Sequence, residues 1–262
     1  GDVVQELVDA SLLRLDAGRL GMPTAVRAWA GTPDPETVAR HGRFYAALGS
    51  GPSIAALDVH GGLARWQTVA TELPNLEIAF ERAVAGMDPA IAEGAGLAIA
   101  AVYRRRGPAG AALQRLSAAA ALPGAPARVR ITLAVTMREA GRWEEGVAVL
   151  GEVLAELGPP DEALEGEALL QLGSTWLQAG RWQEAEACYG RAFARFRACG
   201  EQRLEGMVLA GLGLLHSEHG ETDRARGEFR DALNIARRVG DRVCEGTVRS
   251  NLGLLDRKEG RL

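Results

Sequence analysis

The sequence predicts an all-α solenoid of stacked antiparallel helix pairs, and three observations lead there. Leu172-Gly173, Leu212-Gly213 and Leu252-Gly253 recur every forty residues, and a fixed period of that size is the signature of a repeat array. A second glycine follows seven positions after each of these, at Gly180, Gly220 and Gly260, where it suits the left-handed cap that ends a helix. Apolar residues make up 47% of the chain but aromatics only 5%. Alanine and leucine carry the difference, and they lose little when fixed in a helix.

The elements of one repeat follow in order. Five positions beyond Gly180 and Gly220 stand Ala185 and Ala225, four further on Tyr189 and Phe229, and three beyond those Ala192 and Ala232. This reads as helix, glycine turn, second helix. Small residues let two helices approach closely, and Trp176, Tyr189 and the leucines fill the spaces between successive pairs. Two weaker copies lie upstream. Leu133-Ala134, Gly141, Gly146 and Leu150 form one, and Ile99-Ala100, Tyr103, Gly107, Ala112, Leu116 and Ala119 the other. The stack is expected over residues 90–262, as about four repeats with the last incomplete. None of the eleven prolines falls after Pro160, and Pro159-Pro160 is expected to mark a bend between repeats.

These residues resemble the tetratricopeptide pattern Trp-x-x-Leu-Gly-x-x-Tyr, Ala-x-x-x-Phe, with Leu169 and Leu209 in place of the first aromatic and His216 and Asp256 in place of the third. The forty-residue period is similar to the long-helix variety found in bacterial regulators and motor adaptor proteins. The resemblance implies a right-handed superhelix, an α-solenoid whose concave groove is lined by the first helix of every pair.

Residues 1–30 read differently. Val3, Val4, Leu7, Val8 and Leu12 have helical spacing, Leu12 to Met22 read as a short hairpin around Asp16-Ala17-Gly18, and helical spacing resumes at Val26, Trp29 and Ala30. Helix, hairpin and helix make the tail of a winged-helix fold, and residues 31–89 form a helical connector. Leu7-Val8-Asp9-Ala10-Ser11-Leu12-Leu13, Gly21-Met22-Pro23-Thr24-Ala25-Val26-Arg27-Ala28-Trp29-Ala30, Arg40-His41-Gly42-Arg43-Phe44-Tyr45 and Leu73-Pro74-Asn75-Leu76-Glu77-Ile78-Ala79-Phe80 resemble, in that order, landmarks of bacterial signal-transduction ATPases of the STAND class. In that family an ATPase module precedes the winged helix, the connector and a set of sensing repeats. The phosphate-binding loop Gly-x-x-x-x-Gly-Lys-Ser/Thr does not occur here, and Lys258 is the only lysine. ATP or ADP is therefore expected only in a module upstream. Met22-Pro23-Thr24 stands where related ATPases carry Met-His-Asp, so the nucleotide-sensing imidazole is missing. Gly1 at the start and the Glu-Gly-Arg turn just before Leu262 lead us to expect a fragment of a larger protein.

Composition narrows the function. A net charge of -4 gives no basic face for phosphate backbones, so no direct nucleic-acid partner is expected. The longest mostly apolar stretch, Ala95 to Tyr103, is too short for a bilayer, and the three scattered cysteines, Cys188, Cys199 and Cys244, form no disulfide framework. A cytoplasmic protein is expected. No catalytic constellation emerges, so the chain is not expected to be an enzyme and no cofactor or metal is assigned to it. His216 and His219, one helical turn apart, read as a solvated helix end more readily than as metal ligands, and Cys188 and Cys199 as small buried hydrophobes. Glu144-Glu145 and Asp161-Glu162 suit the starts of helices.

The candidate site is the groove. Mapping the repeat places Arg128, Ile131, Val135, Arg138 and Glu139 on it from one repeat, Glu167, Leu170, Ser174, Leu177 and Gln178 from the next, then Met207, Ala210, Leu214, Ser217 and Glu218, then Thr247, Ser250, Leu254, Arg257 and Lys258. The row Ile131, Leu170, Ala210 and the row Val135, Leu214, Leu254 are apolar for exposed positions. Flanked by Arg128, Arg138 and Arg257, they suit an amphipathic helix or peptide, or a small inducer. The competing reading is that these rows pack against neighbouring first helices. The Lys and Asn pairs of chaperone-binding members are absent.

The leading functional expectation is the sensor region of a STAND-type ATPase that controls transcription, in which binding to the repeats releases the nucleotide module; oligomerisation is expected to run through the parent protein. The alternatives are the sensor of an antiphage defence ATPase and a free-standing scaffold. Leu214→Asp is expected to abolish partner binding with the helical circular dichroism kept, because it puts a charge in the apolar row; unfolding instead would mark the row as core.

Overall fold

Helices dominate both units of the computed structural model, which describes residues 3–16, 19–22, 26, 31, 33–158 and 161–260 and divides into Gly1–His41 and Gly42–Leu262. In the first unit, α1 (Val3–Asp9) precedes a hairpin of β1 (Arg14–Asp16) and β2 (Arg19–Gly21), antiparallel with Leu15 opposite Leu20. The turn residues Ala17 and Gly18, the expected helix at Trp29-Ala30, Pro23-Thr24 and Pro159-Pro160 lie outside the described residues. Helix α2 (Pro35–Ala46) runs from the end of this unit into the second.

The second unit continues through a 3-10 turn (Ala47–Gly49), α3 (Gly51–Ala55), α4 (Gly62–Thr71) and α5 (Leu73–Ala85). Four helix pairs follow: α6 (Pro89–Arg106) with α7 (Ala109–Ala120), α8 (Ala127–Glu139) with α9 (Trp143–Glu156), α10 (Glu162–Gln178) with α11 (Trp182–Cys199), and α12 (Gln202–Glu218) with α13 (Thr222–Val239). Helix α14 (Arg242–Lys258) is a first helix without a described second. First helices pack on one another in the order α6, α8, α10, α12, α14. The fold is an all-α tetratricopeptide-repeat solenoid. The acidic first turns expected for α9 and α10 are present, with Glu144 and Glu145 in one and Glu162 in the other.

What spaces the pairs α10/α11 and α12/α13 is a ring lying over a missing side chain. A Cβ on Gly173 would stand 2.8 Å from the Tyr189 ring, one on Gly213 2.7 Å from Phe229, and one on Gly166 2.6 Å from Phe196. Each of these rings is buried. Tyr189 is held on its far side too, since a Cβ on Gly211 of α12 would meet its Cζ at 2.8 Å. The turn between the helices of a pair is closed by a left-handed glycine. At Gly180 (φ +72°) the next amide, on Arg181, donates to the Trp176 carbonyl at 2.8 Å, which satisfies a carbonyl the helix end would leave bare.

The sequence divides the chain at residue 90, but the structure carries the core across that point. Leu57, Trp66, Leu76 and Phe80 of the connector share one buried cluster with Ile99, Val102, Leu116 and Leu133 of the first two pairs. The connector is seated on α6 by backbone contact: a Cβ on Gly49 would fall 1.8 Å from the Gly94 carbonyl oxygen, and one on Gly94 2.2 Å from that of Ala46. Only glycine permits that approach. Farther along, the Trp66 indole donates to the Ala101 carbonyl at 3.2 Å, under the Arg106 guanidinium at 5.0 Å.

The three Leu-Gly copies are therefore not equivalent. Gly213→Ala should destabilise the protein by about 1–3 kcal/mol, the usual cost of forcing a methyl group into a packed core. A methyl group added at Gly253 would meet no other atom within 4 Å, so Gly253→Ala should be stabilising by about 0.5–1 kcal/mol, the helix preference of alanine over glycine. Urea denaturation of the two variants checks this; equal shifts would show that the ring-over-glycine contact does not set the spacing.

Candidate partner-binding face

The first helices α8, α10, α12 and α14 carry every residue expected in the groove, but they do not expose them equally. Ile131 (4% exposed) packs with Ala134, Leu150, Val153 and Ala168, and Leu170 (4%) and Leu177 (8%) with Leu169, Tyr189 and Val208. These three are interior, because adjacent first helices close over them. The expectation that they are surface anchors is corrected. Leu214 is half-buried and touches two clusters, one on each side of α12, while Met207 and Ala210 each pack against one. Leu214→Asp is accordingly expected to unfold the protein. Val135, Ser174 and Ser217 are half-buried; Gln178, Ser250, Leu254 and Arg257 are exposed.

The arginines also differ. Arg128 is engaged, 3.1 Å from Glu167 on α10 and with its guanidinium over Gly51 of the connector. Burial pushes the Glu93 carboxyl beside it above its usual value, with Arg128 opposing. Arg138 is half-buried and, among the described residues, has no hydrogen bond or ion pair. Burial lowers its pKa below the ordinary arginine value, Arg104 acts the same way, and Glu139 and Tyr189 oppose them. Arg104 itself pairs with Glu139 at 3.0 Å. The Tyr189 hydroxyl donates to Ser174 Oγ at 3.2 Å, so α8, α10 and α11 bring together two hydroxyls and a guanidinium that, among the described residues, feels the Glu139 charge but has no hydrogen-bonded anion. A desolvated guanidinium offers a planar, two-pronged fit to a carboxylate.

A second polar group lies at the turn end of the last two pairs. His216, read from sequence as solvated, is 1% exposed: its Nδ1 is 2.6 Å from Glu228 Oε2 and its Nε2 3.5 Å from Glu186 Oε1. Arg224 ties Glu186 (3.0 Å) and Glu221 (3.3 Å) into the same network. His219 is exposed, near Trp182 at 6.1 Å between rings, beside a cleft of about 410 Å³. Among the described residues no three His, Cys, Asp or Glu side chains are placed to hold a metal.

Residues 165–238 match the tetratricopeptide repeat family. The match covers α10 to α13, the two pairs in which the Leu-Gly and ring positions are most regular. Among solved structures the chain is similar to BtubC (BKLC) from P. vanneervenii, with a TM-score of 0.48 and 18% identity over 86% of this chain and 83% of that one, a likeness too loose to carry function across. No curated protein matches the sequence.

Sequence reasoning did not find the His216–Glu228 pair, although a signal exists. Forty residues upstream the same two places hold the apolar Trp176 and Cys188, so both change to ionisable residues together in the next repeat. Cys199, expected to be buried, is exposed, with its thiol 3.6 Å from the Phe196 carbonyl, whereas Cys188 and Cys244 are buried. Burial pushes the Cys244 thiol up to about 11, which keeps it protonated and unreactive.

Burial raises the Glu228 carboxyl above the usual range, against the hydrogen bond from His216. A carboxyl that holds its proton more firmly when folded gives its stability at low pH and loses it as pH rises through the folded value. Glu228→Gln keeps a neutral group at this position. The difference in stability between Glu228→Gln and wild type should therefore shift in favour of the variant between about pH 4 and pH 7. Urea midpoints across that range check it, and a pH-independent difference would mean that Glu228 is not held above its normal value.

Proposed function

We propose that this chain is the ligand- or protein-binding sensor region of a STAND-type ATPase regulator, and that the first-helix face binds a protein segment carrying a carboxylate. The observation behind the binding reading is Arg138: a desolvated guanidinium with no protein partner among the described residues, on the face that tetratricopeptide arrays use for recognition. Leaving a charge half-buried and unpaired costs stability unless something offsets it. A bound anion does so. The parent assignment rests on the ordered landmarks in residues 7–80.

In this reading the chain performs no catalysis and holds no cofactor. Nucleotide belongs to a module outside it, and binding at the repeats is coupled to that module's release and thereby to transcription. In this reading the protein works in the cytoplasm. No helix among the described residues is long and apolar enough to cross a membrane.

Replacing a partly buried charge by an apolar chain of similar length is commonly neutral or stabilising. Arg138→Met should therefore leave the melting temperature equal or higher while weakening capture of the partner from native cell extract by about tenfold or more, the loss of one charged hydrogen-bonded contact. Undiminished capture by a folded Arg138→Met protein would remove the recognition role. The gene upstream should encode a phosphate-binding loop; its absence would sink the STAND parent and leave the binding role standing.

A further inference from the structure

Residues 57–60 of the connector are tied to helices far along the chain. Asp58 lies 2.9 Å from Arg203 in the first turn of α12 and 3.5 Å from Arg105 at the end of α6. Its carbonyl accepts from the Arg242 amide of α14 at 3.1 Å, and Val59 forms an antiparallel bridge with Asp241. Asp241 is 2% exposed; one of its oxygens is 2.9 Å from Arg203 Nε and the other accepts from the Cys244 amide at 2.9 Å, capping α14. Arg203 thus sits between two carboxylates, one from the connector and one from the last described repeat.

Helices α8 and α10 stand between α6 and α12 in the stack. A segment that touches both α6 and α12 therefore bridges the inner side of the array instead of following its course. The tie is made by a turn: a backbone carbonyl on a helix-start amide, a single antiparallel bridge residue, and one carboxylate on an arginine fork. Leu57, just before it, is 7% exposed and packs into the connector core. Asp58 and Arg203 remain 33% and 23% exposed, and an ion pair in contact with water is easily exchanged for another.

We infer that Arg203, Asp241 and the Arg242 amide form a docking edge for a carboxylate-bearing turn, that Asp58–His60 fills it in cis, and that a protein partner presenting an Asp followed by a β-branched residue in such a turn takes the place of this strap. The inference rests on the first-helix face being the partner site, and adds to it the chemistry of a second contact and a device by which binding frees the connector.

The test uses a peptide with the sequence of residues 54–61, its counterpart with Asn for Asp58, and the whole chain carrying Asp58→Arg, which sets a cation against Arg203 and Arg105. Asp58→Arg should speed hydrogen exchange at the Arg242 amide by about tenfold or more, since a local tie is lost while the fold stays. The peptide should bind this variant about tenfold more tightly than wild type, because the site is no longer occupied. Binding should vanish with the Asn peptide and when Arg203→Gln is added. Should Asp58→Arg lose its helical signal, Asp58→Asn removes the charge more gently and reads out the same way. Unchanged exchange at Arg242, equal peptide affinity for wild type and variant, or indifference to the Asn change overturns the inference. Partner capture that needs Arg138 but is insensitive to Asp58→Arg overturns the strap alone; capture that ignores Arg138 overturns the first-helix reading and leaves the peptide result to judge the edge by itself.

Discussion

Tyr189 lying across Gly173, Phe229 across Gly213 and Phe196 across Gly166 set the distance at which α11 meets α10 and α13 meets α12. A glycine in a helix interior costs about 1 kcal/mol relative to alanine, whereas burying an aromatic ring contributes about 1.5–3 kcal/mol. The exchange favours the glycine wherever a ring covers it. Tyr189 goes further, because Gly211 opens a slot for it on the next first helix, so one ring fixes the spacing within a pair and between pairs. The inner face inherits its geometry from this contact. Closely spaced first helices bury Ile131, Leu170 and Leu177, and leave polar and charged groups exposed toward their ends.

How much of this could be read in advance follows from how local each constraint is. Gly180, Gly220 and Gly141 mark turns because a left-handed cap has one common solution, and the Leu-Gly period marks first helices because a ring needs a gap at one fixed place. Both are properties of a single repeat and recur with it. Burial on the inner face is different. Whether Leu170 faces solvent depends on how near α8 and α12 come, which no residue of α10 decides. Leu254, at the equivalent place to Leu214, is 44% exposed for the same reason: no described helix follows α14. The strap was out of reach altogether, since Asp58 and Arg203 are 145 residues apart and residues 57–60 belong to no period.

Arginine supplies a second layer of order. Arg115 to Glu77 (2.9 Å), Arg195 to Glu165 (2.9 Å), Arg128 to Glu167 (3.1 Å) and Arg226 to Asp256 (2.6 Å) each join two different helices. Pairs so placed on a surface contribute little energy singly, but the planar fork of arginine holds direction as well as distance. Against that background Arg138 stands out. Among the described residues Arg138, in the last turn of α8, is the half-buried arginine without a hydrogen bond or ion pair to a carboxylate.

The connector links these two layers. Gly49 and Gly94 press it backbone to backbone onto α6, Trp66 fastens it near the other end of the same helix, and Asp58 carries it on to α12 and α14. A solenoid stabilised only by neighbour contacts can change its curvature cheaply, because small rotations add along the stack. A tie between α6 and α12 removes that freedom for the repeats it spans. Curvature is then no longer a property of the repeats alone: it is held by a few polar contacts at Arg203 and Arg242, and whatever replaces those contacts resets the shape that the remaining first helices present.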